Sequence, residues 1–489
     1  MRIEKNNKIF NLLFFIVIIL FLILIFLISF KQTSPNYNIV ILNGRVIDPE
    51  KNYDEIANIG INGNKISIIT KGVIKGLKTI NATELIVSPG FIDAGIAGQP
   101  SFETYKNIEF WKITDGVTTT LYMHDGVGSI ENYEKLFLNN VHYTNYGFST
   151  KVSEYLLYDL SKQLDLIQNN ILNGALGVSV SPEYNPEIKT NDILEYAKVA
   201  KRNNLPLLSH LRFSSKDKEL GGVREAVYIS QQTGVKFHIF HLPSTGGTFN
   251  MSETLKLIEF ARVQGIEIDA DLYPYSYWAT YINSERFNSG WQERYNLTYE
   301  QLYYLTNSIF LNESLFKEYR KVGGLIIVPE NILSWNNSIY PALQSDFVFI
   351  ASDGSYDLLV NSSAHPRKTG TFATAVATSK KINMSLLNII KKLTLDPANL
   401  MKYSEESFIN RGRLQKGAFA DITIFDYNTI DGSGTIQYPA QISKGIRYVL
   451  VNGKTVYEDG KINEVNAGEF LKHKKKINNF NLYLKKLFS

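Results

Sequence analysis

Imidazoles and carboxylates stand at the ends of predicted strands along this chain: His124 and Asp125, then His210, His241, Asp271 with Tyr273 close behind, and Asp353. Both kinds of group bind zinc at about 2.0–2.2 Å, and a carboxylate also takes up and returns a proton. One strand-like run, VSPGFIDAGIAGQ at 87–99, ends differently, on Gly95 and Ala97, neither of which can ligate anything. His142, His238 and His473 stand alone in their segments and read as hydrogen-bonded core or surface residues.

Such groups can act together only if the fold brings their strand ends together. Strand-like runs at 85–93, 118–125, 146–150, 175–180, 206–210, 236–241, 267–273 and 347–353 alternate with helix-length segments, the βα repetition of a parallel sheet or barrel. Eight such runs predict a (β/α)8 TIM-like barrel over residues 85–412, with its chemistry at the C-terminal ends of the strands. A further run at 324–328 belongs to an expected insertion over 281–346, helical in part and lid-like. At both chain ends, 38–84 and 413–465, short β runs are punctuated by Asn-Gly turns. The two ends are expected to form one small β-sandwich-like domain flanking the barrel.

The 489 residues, 44% hydrophobic and 12% aromatic, can bury a large core. A net charge of +4 with scattered Lys and Arg gives no electrostatic footprint for nucleic acid. Cysteine is absent, which excludes disulfides, thiolate ligands and a cysteine nucleophile. Residues 9–30 form an apolar run of 22, interrupted only by Asn11 and Ser29 and long enough as a helix to cross about 30 Å of hydrocarbon. No small-residue cleavage site follows it, so the expectation is an uncleaved single-pass anchor. Arg2, Lys5 and Lys8 precede the run, placing residues 1–8 in the cytoplasm and the body outside. The tail at 471–489 begins LKHKKK and continues with apolar residues at helical spacing, a basic amphipathic pattern that can lie on an anionic membrane.

Seven motifs in order carry a resemblance to the N-acyl-D-amino-acid deacylases, the D-aminoacylase and N-acyl-D-glutamate deacylase branch of the amidohydrolase superfamily. They are DGVTT at 115–119, NGALGVSVSPEYNP at 173–186, SHLR at 209–212, DADLYPYS at 269–276, SDG at 352–354, HPRKTGTF at 365–372 and KGAFADITIFD at 416–426. The resemblance runs from about residue 39 to 459. It implies a zinc ion on ligands after strands two, five and six: His210 and His241 match the last two, and His124 or Asp125 falls at the strand-two position. PGFID in these enzymes is followed by a His-x-His pair serving a second, weaker metal, and here the pair is Gly95 and Ala97. Asp353 matches the catalytic carboxylate that takes a proton from the attacking water and passes it to the leaving amine. Pro243 replaces a lysine that helps hold the substrate carboxylate, leaving Arg212, Tyr273 and Arg367 as candidate substrate contacts. DGVTT and KGAFAD read as structural signatures of the fold.

The expectation is therefore hydrolysis of the C–N amide bond of an acylated amino acid or related peptide with one divalent metal, zinc. The alternative is a barrel that lost catalysis with Gly95 and Ala97 and now binds a ligand or partner.

Overall fold

Residues 85–93, which read as one strand, form two. Gly90 separates Ile86–Pro89 from Phe91–Asp93, which lie in different sheets. A Cβ at Gly90 would stand 2.2 Å from the Thr118 hydroxyl oxygen, so only glycine lets the chain cross between the sheets there. The structure, a computed structural model, describes residues 14–21, 36–101, 104–137, 139–330, 332–354 and 365–474.

Phe91–Asp93 opens an eight-stranded parallel sheet. It continues through Val117–Val127, Asn145–Lys151, Val178–Val180, Leu207–Ser209, Phe237–Ile239, Ile268–Leu272 and Val348–Ile350, each strand pairing with the next in sequence order. These are strands one to eight of a barrel. Its edges are joined by the buried Asp93, whose Oδ1 accepts the Ser352 amide at 3.0 Å. The other oxygen of Asp93 meets Lys112 Nζ at 2.8 Å with both side chains buried, a pair whose severing costs about 3–5 kcal/mol because it strands a charge. Ile92, Leu121, Met123, Leu208, Phe240 and Phe349 share the barrel interior with Leu471. The Leu471 amide donates to the Tyr146 carbonyl near the start of strand three, so the C-terminal segment closes the end away from the site.

Outer helices such as Thr190–Arg202 bury one stripe, whereas Arg367–Lys381 is buried nearly all round. In Thr190–Arg202 the buried residues include Ile193, Tyr196, Ala197 and Ala200, at the spacing of one helical face. Asp115 of DGVTT accepts the Phe372 and Ala373 amides at 2.8 and 3.0 Å and the Ser443 hydroxyl at 2.7 Å. It ties the helix Arg367–Lys381 to the body of the protein and carries no chemistry.

Both chain ends contribute to one nine-stranded sheet. The seam is Ile422–Phe425 antiparallel to Ile86–Pro89, with Ile424 opposite Val87. Asn452 and Gly453 take φ of 48° and 75° in the turn between Ile446–Val451 and Lys454–Glu458, the left-handed pair that a two-residue hairpin requires. Between strands seven and eight lies a third sheet, four-stranded and antiparallel, in which 324–328 supplies the strand Leu325–Ile327. It has an aromatic core of its own, with Trp278, Phe287, Trp291, Tyr295 and Phe316 packed together.

The N-terminal anchor expected over residues 9–30 is corrected. Among the described residues no helix is long and apolar enough to cross a membrane. Of that run the structure describes residues 14–21, which are helical, and the remainder lies outside the described residues. The single-pass placement, with a cytoplasmic N-terminus and the body outside, falls with it. The membrane-lying helix expected in the tail also lies outside the described residues from 475 onward.

Candidate metal centre

His124 lies near the C-terminal end of strand two, and His210 and His241 just beyond strands five and six, and one ligand atom from each ring lies within 4.8 Å of the others. All three rings are buried. His210 Nδ1 and His241 Nε2 face each other at 3.2 Å. Their outer nitrogens are already held: Glu183 Oε2 lies 2.6 Å from His210 Nε2, and the Ser244 hydroxyl lies 3.0 Å from His241 Nδ1. Burial lowers the pKa of both rings despite neighbouring carboxylates, so each is a neutral imidazole with a lone pair to give.

His124 completes the cluster. Its Nδ1 meets Asp353 Oδ1 at 2.8 Å, while its Nε2 is buried with no hydrogen-bond partner among the described residues. Burial works against charge on this ring, but the Asp353 carboxylate raises its pKa. Burial equally works against the ionised form of Asp353, yet Arg367 at 3.0 Å, with His241 and His124, holds that carboxyl far below the usual range. Two converging neutral nitrogens and one orphaned buried nitrogen are the donor set a zinc ion takes, with room for a fourth ligand.

Backbone conformation aims these groups. Asp125, His241 and Asp353 have φ of 66°, 34° and 47°, left-handed values that cost an L-residue of order 1–2 kcal/mol. Asp125 lies near the C-terminal end of strand two, and His241 and Asp353 lie two and three residues beyond strands six and eight. The His241 amide donates to Asp271 Oδ1 at 2.6 Å, which stabilises the turn at that residue.

Above the histidines opens a cavity of about 590 Å3. His124, Asp125, His210, His241, Tyr273, Asp353 and Arg367 all line it. Asp125 stands outside the triad, accepting from the Ser181 hydroxyl at 2.6 Å. Arg367 lies over the Tyr273 ring at 4.6 Å. Arg212 is not in this lining: its guanidinium pairs with Glu225 at 2.9 Å and donates to the Ile188 carbonyl. Strand five ends at Ser209, so the alternation that relates His210 to a residue two further on has already ceased.

At the strand-one position the space is filled. A Cβ on Gly95 would come within 2.7 Å of the Ala351 Cβ and 3.2 Å of Asp271 Oδ2. No larger side chain enters there unless strand eight moves. Ala97 lines the cavity and forms an isolated bridge with His124.

Three contributors escape a reading of the sequence: Glu183, Ser244 and Arg286. Glu183 sits within the NGALGVSVSPEYNP motif just past strand four, where its position was a signal for a site residue. Arg286 comes from the inter-strand insertion, where no periodicity marks it. His365 is a quieter case, its Nδ1 accepting the Arg367 amide at 3.0 Å and so fixing the start of that helix.

His238, read as a core histidine, is buried between Asp269 at 2.7 Å and Asp271 at 2.9 Å. Burial opposes its charge, but the two carboxylates outweigh it and raise its pKa from 6.5 to about 9. The folded value lies above the unfolded one. The stability this cation contributes is therefore complete below about pH 6.5 and lost as pH rises through about 9. Thermal melts should show a fall across that window worth up to about 3 kcal/mol, and His238→Gln should remove the slope. A wild-type melt independent of pH there would refute the charged state.

No protein-family model matches the sequence. The chain is similar to the D-aminoacylase of Alcaligenes xylosoxydans xylosoxydans, 24% identical over 90% of this chain and 99% of the relative. It is similar also to the N-acyl-D-glutamate deacylase of the same organism, 23% identical over 86% and 93%. Among solved structures it superposes on the N-acyl-D-glutamate deacylase of Bordetella bronchiseptica, solved with zinc and a phosphonate mimic of the tetrahedral intermediate. There the TM-score is 0.74 and the identity 22%, covering 89% of this chain and 99% of that one. By sequence and by fold, the chain is related to the D-aminoacylase branch of the amidohydrolases.

Proposed function

We propose that this protein hydrolyses the amide bond of N-acyl-D-amino acids or closely related acylated amino acids, a C–N bond other than a peptide bond, with a single divalent metal, zinc. The observation that carries the reading is the convergence of His124, His210 and His241 with Asp353 in hydrogen-bond contact with the first of them. The three histidines would hold the ion. When bound, it supplies Lewis-acid polarisation of the scissile carbonyl and acidifies the attacking water. One ion is the expected number, because Gly95 offers no ligand and its surroundings admit none.

Asp353 is the proton carrier. Held as a carboxylate by Arg367, it accepts a proton from water at the cavity floor and delivers it to the departing amine, which would otherwise leave as an unstable anion. His124, hydrogen-bonded to Oδ1, fixes the direction in which Oδ2 points. Tyr273 and Arg367 line the same cavity and present a hydroxyl and a cation to an acyl oxygen or a substrate carboxylate. The segment between strands seven and eight lines the cavity through Trp278, Thr280 and Arg286, which limits water around the reacting groups.

Metal analysis of purified protein, paired with an amine-release assay on N-acetyl-D- and N-acetyl-L-amino acids, tests this. Close to one zinc per chain and turnover confined to the D-series are expected. A chain that takes up neither zinc, manganese nor iron under any loading condition would leave only a binding role.

A further inference from the structure

Arg286 belongs to the insertion between strands seven and eight, yet it touches the outer supports of two metal-ligand candidates at once. Its Nε lies 3.0 Å from Glu183 Oε2, the same oxygen that holds His210 Nε2 at 2.6 Å. Its Nη2 donates at 2.8 Å to the carbonyl of Ser244, whose hydroxyl holds His241 Nδ1 at 3.0 Å. The guanidinium is 3% exposed and lies over the Trp278 ring at 4.7 Å, in the aromatic core of the insertion. A second thread runs alongside, since Ser214 bonds both Glu183 and the Tyr295 hydroxyl of the insertion.

We infer that Arg286 is a positioning residue that couples the fold of the insertion to the metal-holding geometry of His210 and His241. The inference rests on the metal reading above. Its physical basis is the fork of the guanidinium, which satisfies two acceptors in fixed relative directions where a lysine offers a single point charge. Glu183 shows why the coupling matters. Its Oε2 is shared between Arg286 Nε and His210 Nε2, so the direction in which that buried carboxylate holds the ring depends on the insertion being docked. With His210 Nε2 held by Glu183, the other ring nitrogen, Nδ1, is left facing His241 at 3.2 Å. Without Arg286, the Glu183 carboxylate keeps only His210 and the Ser214 hydroxyl as partners among the described residues, the Ser244 carbonyl loses its donor, and the orientation of both imidazoles loosens. The lining of the cavity and the grip on the ion are then one device.

The test is a double-mutant cycle on zinc affinity, measured by chelator competition on the full chain. Outer supports of metal ligands typically contribute about 10–100-fold in affinity. R286M and E183Q should each weaken zinc by about that factor. The double variant should be no weaker than the worse single one, because both act through the same contact. R286K should lie between wild type and R286M, since it can reach Glu183 but not the Ser244 carbonyl as well. Melting of the metal-free proteins shows whether each variant is folded, and if R286M is not, the R286K and E183Q pair carries the same cycle. Wild-type affinity in the Arg286 variant, or losses that simply add, would overturn the coupling while leaving the metal site standing. A wild-type chain that binds no zinc would overturn both.

Discussion

Replacing His241 by Ala is expected to strip the protein of its metal while leaving the barrel folded. Two imidazoles, His124 and His210, would remain, and two protein ligands rarely hold zinc against water and chelators. Among the described residues the nearby carboxylates already have partners, Asp353 in His124 and Arg367 and Asp125 in the Ser181 hydroxyl. Asp271 is committed to His238 and to the amide of residue 241, Glu183 to His210 and Arg286, and Gly95 sits against Ala351 with no room for a larger residue. The barrel strands do not depend on the His241 side chain, whose polar contacts among the described residues are the Ser244 hydroxyl, His210 and Asp353. Metal content after dialysis against a weak chelator should fall from close to one per chain to background, with amide hydrolysis lost in parallel and circular dichroism unchanged. A His241→Ala protein that still carries a full equivalent of zinc would place the ion elsewhere.

Much of the architecture was legible because barrel strands write themselves as short β-branched runs that end on a polar residue. Residues 118–125 fall inside Val117–Val127, and 347–353 enclose Val348–Ile350. The break at Gly90 was not legible, since both halves of 85–93 are buried strand sequence and only the Thr118 side chain, distant in sequence, explains the crossing. The triad could be read because its members lie next to strand ends, and a strand end has one place in a barrel. Arg212 shows the limit of that rule. Two residues beyond His210 the strand is over, and its direction follows the nearest carboxylate, Glu225. Arg286 was invisible for a related reason, as its placement comes from the tertiary docking of an insertion with its own core. For residues 9–30, hydropathy states what a segment could do if it were helical throughout, whereas among the described residues no helix is long and apolar enough to cross a membrane.

Asp353→Asn separates holding the metal from performing the reaction. Asparagine keeps the size of the side chain and an oxygen for the His124 contact, and Asp353 is not needed for the three-imidazole cluster. Zinc should therefore stay close to one per chain. An amide cannot accept a proton from water and return it to the leaving nitrogen, so kcat should fall by about 10²–10⁴-fold. The native carboxyl is held far below its ordinary range, chiefly by Arg367 working against burial, so Asp353 stays ionised into acid. Its own protonation then does not set the acid limb of the wild-type rate profile. That limb belongs to the histidines, whose protonation competes with the metal, and it should move to lower pH as free zinc is raised. In the Asp353→Asn protein the residual rate should show the same zinc-dependent limb at a much lower plateau. Undiminished turnover in that variant would assign proton transfer to another group, and loss of zinc from it would make Asp353 part of the metal's support rather than the carrier of the proton.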